Sequence, residues 1–263
     1  MEGDCRFSTG YYVKNHIAKC EKSHFLYGYS TVSLFAMDIL HILGYSDTYM
    51  PLAIICIFIS LWKYIDNQDK PLLFYAIFSF ILFGVSDVMG IFLKNNLAFC
   101  HIYSFAELAL LSHYILKLIL KKPFTLVYFI ITGAFLVFWF CNIIFLEPLS
   151  SFNRNSAVLS NLIILFLCMY YLLSLSVSEE VLYFQKLPRF WIASGFLIYA
   201  ALSLLDFISS DYINLWAGKS ATNPIWLISS IAVVVKYVLI GAGLLCSKQH
   251  SSSSQTPLYS ILL

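Results

Sequence analysis

Charge is what this sequence has least of. Of 263 residues only 11% are Asp, Glu, Lys or Arg, against roughly a quarter in an ordinary soluble domain. That shortage excludes a water-solvated globular fold. The formal net charge is +2, so there is no basic field to gather phosphates, and nucleic acid is excluded as a partner. Seven cysteines are an odd number. Cys56, Cys100, Cys141, Cys168 and Cys246 fall in or beside apolar runs with no CxxC pair, so neither a disulfide framework nor a zinc ribbon is indicated. Cys5 and Cys20 are the remaining pair. Dinucleotide-binding, Walker, GxSxG and kinase signatures are all missing, as is the HExxH spacing of a metal enzyme.

What is present is apolar length. Hydrophobic residues make up 60% of the chain and aromatics 17%, and about 20 such residues in a row cross a bilayer core. Seven segments qualify or nearly so: 49–65, 71–93, 97–120, 124–146, 154–175, 189–209 and 224–246. Short polar breaks such as Asp66-Asn67-Gln68-Asp69-Lys70-Pro71 and Lys121-Lys122-Pro123 separate them, with proline where a helix starts and its missing N–H costs nothing. The links are too short to fold alone. The expected fold is therefore all-α, a polytopic transmembrane bundle over residues 46–246, with the lipid bilayer as its first partner.

Basic residues near span ends stay on the cytoplasmic side. One face carries Lys63, Lys70, Lys117, Lys121, Lys122, Lys186, Arg189 and Lys248, and the other only Lys94, Arg154 and Lys219. The C-terminus is therefore expected to be cytoplasmic. Residues 1–45 form an extension whose Arg6, Lys14, Lys19 and Lys22 would lie outside if only seven spans exist. Residues 24–44 restore the rule if they make a marginal eighth crossing, weakened by Asp38 and His41. Otherwise the arm is an interfacial extension, or translation starts at Met37. The arm lacks the clean apolar core and small-residue cleavage site of a signal peptide. Residues 247–263, with four serines from Ser251 to Ser254, read as a flexible cytoplasmic tail. Trp62, Trp139, Trp191, Trp216 and Trp226 sit mostly near span ends, as amphipathic rings do.

Ionisable groups inside the membrane cost about 2.5–3.5 kcal/mol each at the centre and need a partner, water or neutralisation. They are Asp87 in the second span, His101, Glu107 and His113 in the third, Asp206 in the sixth and Lys236 in the seventh, with Asn142 and Asn161 as neutral additions. At about 1.5 Å of rise per residue, Glu107 and Lys236 fall near the midplane, and Asp87, His101, Asn142, Asn161 and Asp206 about 5–10 Å toward the outer face. This depth pattern suits a polar cavity that opens outward and ends at a Glu107–Lys236 pair. For His101, Asn142 and Asp206, simple closeness to the headgroups accounts for the polarity equally well. Tyr103 lies one turn from Glu107 and can donate to it or to a ligand. His101 and His113 point away from Glu107, which leaves no metal site on this helix.

Lys236 in a seventh span invites comparison with retinal proteins, and the comparison fails. Ala232 stands where microbial members place a carboxylate, and the third span has no arginine beside its acid. Neither retinal nor a metal is expected, and no cofactor is. Gly133, Gly195, Gly241 and Gly243 permit close helix approach, a packing device in lipid.

Asp87, then His101-Ile102-Tyr103 followed by Glu107, then Leu187-Pro188, Phe190-Trp191, Gly195 and Tyr199 form an ordered set. Through them, residues 50–246 resemble a family of uncharacterised bacterial seven-span inner-membrane proteins. The resemblance implies that architecture and location, and it implies no activity. It departs at the fifth span, where similar chains often carry an arginine and an acid and this one reads Ala157-Val158-Leu159-Ser160-Asn161.

Three functions fit these residues. The leading one is a non-enzymatic membrane module whose outward cavity takes a small ligand, ion or proton, with Asp87, His101, Tyr103, Glu107, Asn161, Asp206 and Lys236 as candidate site residues. A channel or secondary transporter would line its path with Asp87, Glu107 and Asp206, although inverted repeats and paired broken helices are missing. An intramembrane hydrolase or lipid-modifying enzyme would use Asp87, His101 and Glu107 as acid, base or metal ligands.

Overall fold

A computed structural model of the chain describes residues 43–93, 96–121, 125–177, 187–217 and 224–253. Among these there is no strand. The helices are α1 (Ser46–Leu61), α2 (Pro71–Leu93), α3 (Leu97–Leu120), α4 (Leu126–Phe145), α5 (Arg154–Val177), α6 (Pro188–Ala217) and α7 (Pro224–Ser253), with a 3₁₀ turn over Trp62–Tyr64. Six of them, α2 to α7, are long and apolar enough to cross a membrane. The first, at 16 residues, falls short of the length expected from residues 49–65. The marginal crossing expected over 24–44 lies outside the described residues apart from its last two positions, as do Lys94, Lys122, Lys186 and Lys219.

Local chemistry sets the ends. Pro71, Pro188 and Pro224 open α2, α6 and α7 at the first helical position. The Thr125 hydroxyl caps α4 by accepting the Tyr128 N–H. At α5 the Glu147 carboxylate accepts the Asn155 N–H at 3.0 and 3.1 Å, a negative group at the positive end of the helix. Lys121 closes α3 in the left-handed conformation.

Two expected boundaries need correction. The sixth helix runs on to Ala217 rather than stopping at 209, because no glycine or proline interrupts it before Gly218. The seventh continues to Ser253, so the first part of the expected flexible tail is helical. Ser247 turns its hydroxyl back to the Gly243 carbonyl there.

The helices close a ring in the order α1, α2, α3, α5, α6, α7 and back to α1, and the most extensive contact runs between α6 and α7. Helix α4 stays outside this ring, resting on α3 and α5, and buries only Phe135 and Asn142. The outward surface carries large apolar side chains such as Phe74, Phe92, Phe129, Phe145 and Leu173. In water such a surface would drive aggregation, and in lipid it is solvated.

Within the ring one end is apolar. Phe58, Leu111, Ile115, Ile192, Phe196 and Leu244 are buried together. That end is closed by a polar clasp. Asp69, in the α1–α2 connection and 2% exposed, accepts the Tyr114 hydroxyl at 3.0 Å and Arg189 Nε at 3.2 Å. The same guanidinium holds Asp66 through Nη2. Burial pushes the Asp69 carboxyl above the usual carboxylate range, and Arg189 and Tyr114 pull it partway back.

Glycine makes the α6–α7 contact close. A Cβ on Gly243 would stand 2.6 Å from the Pro188 carbonyl oxygen and 2.8 Å from Ile192 Cγ1, and one on Gly195 would meet the Lys236 carbonyl at 3.0 Å. Gly133, on α4, would meet nothing within 4 Å.

Gly243→Ala is expected to cost about 1–3 kcal/mol through overpacking. Gly133→Ala should leave stability unchanged or slightly raised, and thermal unfolding in detergent compares the two. For Asp69, a folded-state pKa above the unfolded one means that the fold takes up protons. Its contribution is full below the unfolded value and is lost as pH rises through the folded value. The Tm advantage of the wild type over Asp69→Asn should therefore be largest near about pH 4 and shrink toward neutrality.

Candidate functional site

A buried ion pair and its shell of tyrosines come from four helices of the ring. On α3, Glu107 is 2% exposed, and on α7, Lys236 is 1% exposed. Their charged atoms, Oε1 and Nζ, stand 3.5 Å apart. Tyr75 from α2 donates its hydroxyl to Glu107 Oε1 at 2.8 Å and accepts from Lys236 Nζ at 3.0 Å. Tyr103, one turn before Glu107 on α3, donates to the same oxygen at 2.7 Å. Tyr199 from α6 reaches Oε2 at 3.5 Å. The ammonium also sits 3.6 Å from the centre of the Tyr199 ring and 4.8 Å from that of Tyr237.

Two ions taken out of water cost several kcal/mol each, and attraction alone rarely offsets that. Here the carboxylate gains phenol donors as well as an ammonium. The ammonium gains an oxygen and aromatic faces, which attract cations electrostatically. The pair is therefore satisfied on both sides without water.

Next to the tyrosines lies a cavity of about 110 Å³. Tyr103 and Tyr199 belong both to its lining and to the shell of Glu107. Its polar lining includes Asp47 and Thr48 at the head of α1, Asp87 on α2, Ser104 on α3 and Asn153 just before α5. The Thr48 hydroxyl donates to Asp87 Oδ2 at 2.8 Å. Asn153 is 2% exposed. Its Nδ2 donates to the Cys100 carbonyl at 3.1 Å and to the Ser104 hydroxyl. These residues cluster toward the ends of their helices nearest the α2–α3, α4–α5 and α6–α7 connections.

Of the residues singled out in the sequence, Glu107, Lys236 and Tyr103 converge, and Asp87 lines the adjoining cavity. The other three lie elsewhere. His101 is fully buried, but its Nε2 meets the Ser151 carbonyl at 3.2 Å, and its own carbonyl accepts Trp139 Nε1 at 3.0 Å. It braces the α4–α5 connection. Asn161 gives Nδ2 to the Ala157 carbonyl of its own helix at 2.9 Å. Asp206 is buried on α6, hydrogen-bonded to Ser229, with Oδ1 unpartnered, about one turn after the lining residue Ser203 and next to Phe207. Among the described residues, no three His, Cys, Asp or Glu side chains are grouped to hold a metal ion.

Four participants were not among the candidate site residues, although Tyr199 belongs to the ordered set that carries the resemblance. Asp47 lies at the edge of an apolar run, where an acid reads as a flank. Tyr75 and Tyr199 are two of 18 tyrosines. Asn153 sits in a polar connection. The signal for Asp47 was Pro51 four residues later, which has no N–H for the Asp47 carbonyl and marks an altered first turn. Comparison of the chain with family models, curated proteins and solved structures found no match.

A double-mutant cycle tests the pair. Glu107→Gln and Lys236→Met should each lower stability by about 3–5 kcal/mol, since each leaves one ion buried and unpaired. Together they should cost less than the sum by at least about 1 kcal/mol. Unfolding in mixed micelles gives the coupling, and simple additivity would show that the two charges do not depend on each other.

Proposed function

We propose that the protein is a non-enzymatic multi-pass membrane module. In this reading the polar cavity receives a small ligand, an ion or a proton, and the Glu107–Lys236 pair converts that event into a change of helix packing. One observation carries it. Tyr103 and Tyr199 face the cavity and also hold the Glu107 carboxylate, so an occupant that moves either ring disturbs a buried ion pair spanning α3 and α7. The apolar layer beyond the pair closes the far end of the ring, which favours sensing over passage.

The same reading takes α1 as a seventh crossing. Its 16 residues with the three of the 3₁₀ turn reach about 30 Å, the thickness of a hydrocarbon core. It places the C-terminus in the cytoplasm. Of the described basic residues near helix ends, Lys63, Lys70, Lys117, Lys121, Arg189 and Lys248 lie at one face and Arg154 at the other. The sequence resemblance would put the chain in a bacterial inner membrane.

Hydrogen exchange of the protein in nanodiscs, compared at about pH 5 and about pH 8, tests the sensing role. A pH-dependent change in α3, α6 and α7 is expected in the wild type and should vanish in Glu107→Gln and in Lys236→Met. An unaltered response in both folded variants would overturn the proposal.

A further inference from the structure

We infer that the 3₁₀ turn Trp62–Tyr64 is a docking site for the headgroup of an anionic phospholipid, with Lys63 and Lys70 as the counter-charges of its phosphodiester. The inference goes beyond the sensing role and depends on neither the cavity nor the buried ion pair.

The first observation is the level at which these groups stand. Lys70 immediately precedes the apolar span of α2, Pro71–Phe92, and Lys248 ends that of α7, Leu227–Lys248. Ring contacts tie the turn to both. The Lys70 ammonium sits 4.8 Å from the centre of the Trp62 ring, and the Lys248 ammonium 5.9 Å from that of Tyr64. Trp62 and Tyr64 are both exposed. Two amphipathic rings are thus presented where the spans end, the depth at which headgroups lie.

The second is the state of the charges. The α1–α2 connection carries two carboxylates, Asp66 and Asp69, and Arg189 engages both. Among the described residues, Lys63 and Lys70 are left with no carboxylate in ion-pair range. Lys63 follows Trp62 in the chain and Lys70 lies over its ring, which puts two basic residues at one indole. The ring holds the Lys70 ammonium in place before any anion arrives, so less ordering is left for binding to impose. Lys117 and Lys121, toward the same face on α3, have no ring contact among the described residues. They carry charge without the platform.

Apolar surface beside the lysines selects a lipid over a soluble anion. Ile59, one turn before Trp62 on α1, is exposed, and so is Phe74, one turn on from Lys70 in α2. A free phosphodiester uses neither. A phospholipid lays its acyl chains along such side chains while its phosphate stays with the basic residues at the membrane surface.

Fluorescence quenching of the full chain in dodecylmaltoside micelles by brominated phosphatidylglycerol tests this. Bromine quenches the tryptophans it approaches, and the Trp62 part is the signal missing in Trp62→Phe. Brominated phosphatidylcholine and the acyl-free headgroup glycerophosphoglycerol serve as comparisons. Saturable quenching of Trp62 is expected, with a half-point at least about fivefold lower for phosphatidylglycerol than for phosphatidylcholine. Each lysine near the surface is worth about fivefold in affinity for anionic lipid, so Lys63→Gln with Lys70→Gln should raise the half-point about 25-fold. Lys117→Gln with Lys121→Gln removes the same charge elsewhere on that face and should leave the half-point in place. Equal quenching by the two lipids, equal loss in the two double variants, or displacement of the lipid by an equal concentration of glycerophosphoglycerol overturns the assignment.

Discussion

The rest of the interior is arranged around one ion pair that water does not reach. Glu107 and Lys236 come from α3 and α7, which are not neighbours in the ring, so the pair is a tie across its middle. Neither side chain is tolerable there without the other. The ring therefore has to bring α2 and α6 into register as well, because Tyr75 and Tyr199 supply the remaining polar contacts. Dispersion between apolar side chains holds helices together in lipid without a strong preference for one arrangement. A buried ion with few acceptable partners supplies that preference.

On one side of the tie the interior is apolar, and on the other it is polar and hollow. The difference follows from side-chain size and type along the same helices. On α3, Leu111 and Ile115 face the filled half, while Tyr103 and Ser104 face the cavity. On α6 the change runs from Ile192 and Phe196 to Tyr199 and Ser203. Each end also has its own clasp. Arg189 with Asp66 and Asp69 closes the filled half, and Glu147 with Asn142 and Asn155 secures the α4–α5 connection beside the hollow one.

Much of this could be read from the residues alone, and the misses have physical causes. Glu107 and Lys236 stand out because an ion inside an apolar run has a cost that its surroundings must meet, and that argument does not depend on neighbours in sequence. Tyr103 followed from one turn of helix. Tyr75 and Tyr199 did not, because their role depends on which helices lie side by side, and nothing in their own segments specifies it. His101 and Asn161 are also polar and buried, but each turns one nitrogen to a backbone carbonyl, Ser151 and Ala157, away from the pair. Hydropathy registers a polar residue without showing which way it turns. Helix ends were misjudged where apolarity ran out before helical propensity did, at 209 and at 246.

The ring closes through α1 against α7, the first and last described helices. During synthesis Glu107 leaves the ribosome long before Lys236, which lies 129 residues further along. Until α7 arrives, the carboxylate has only Tyr75, Tyr103 and later Tyr199 for company. The phenols of α2, α3 and α6 thus come off the ribosome ahead of the counter-charge, and the tie across the ring is closed by the last described helix to be made.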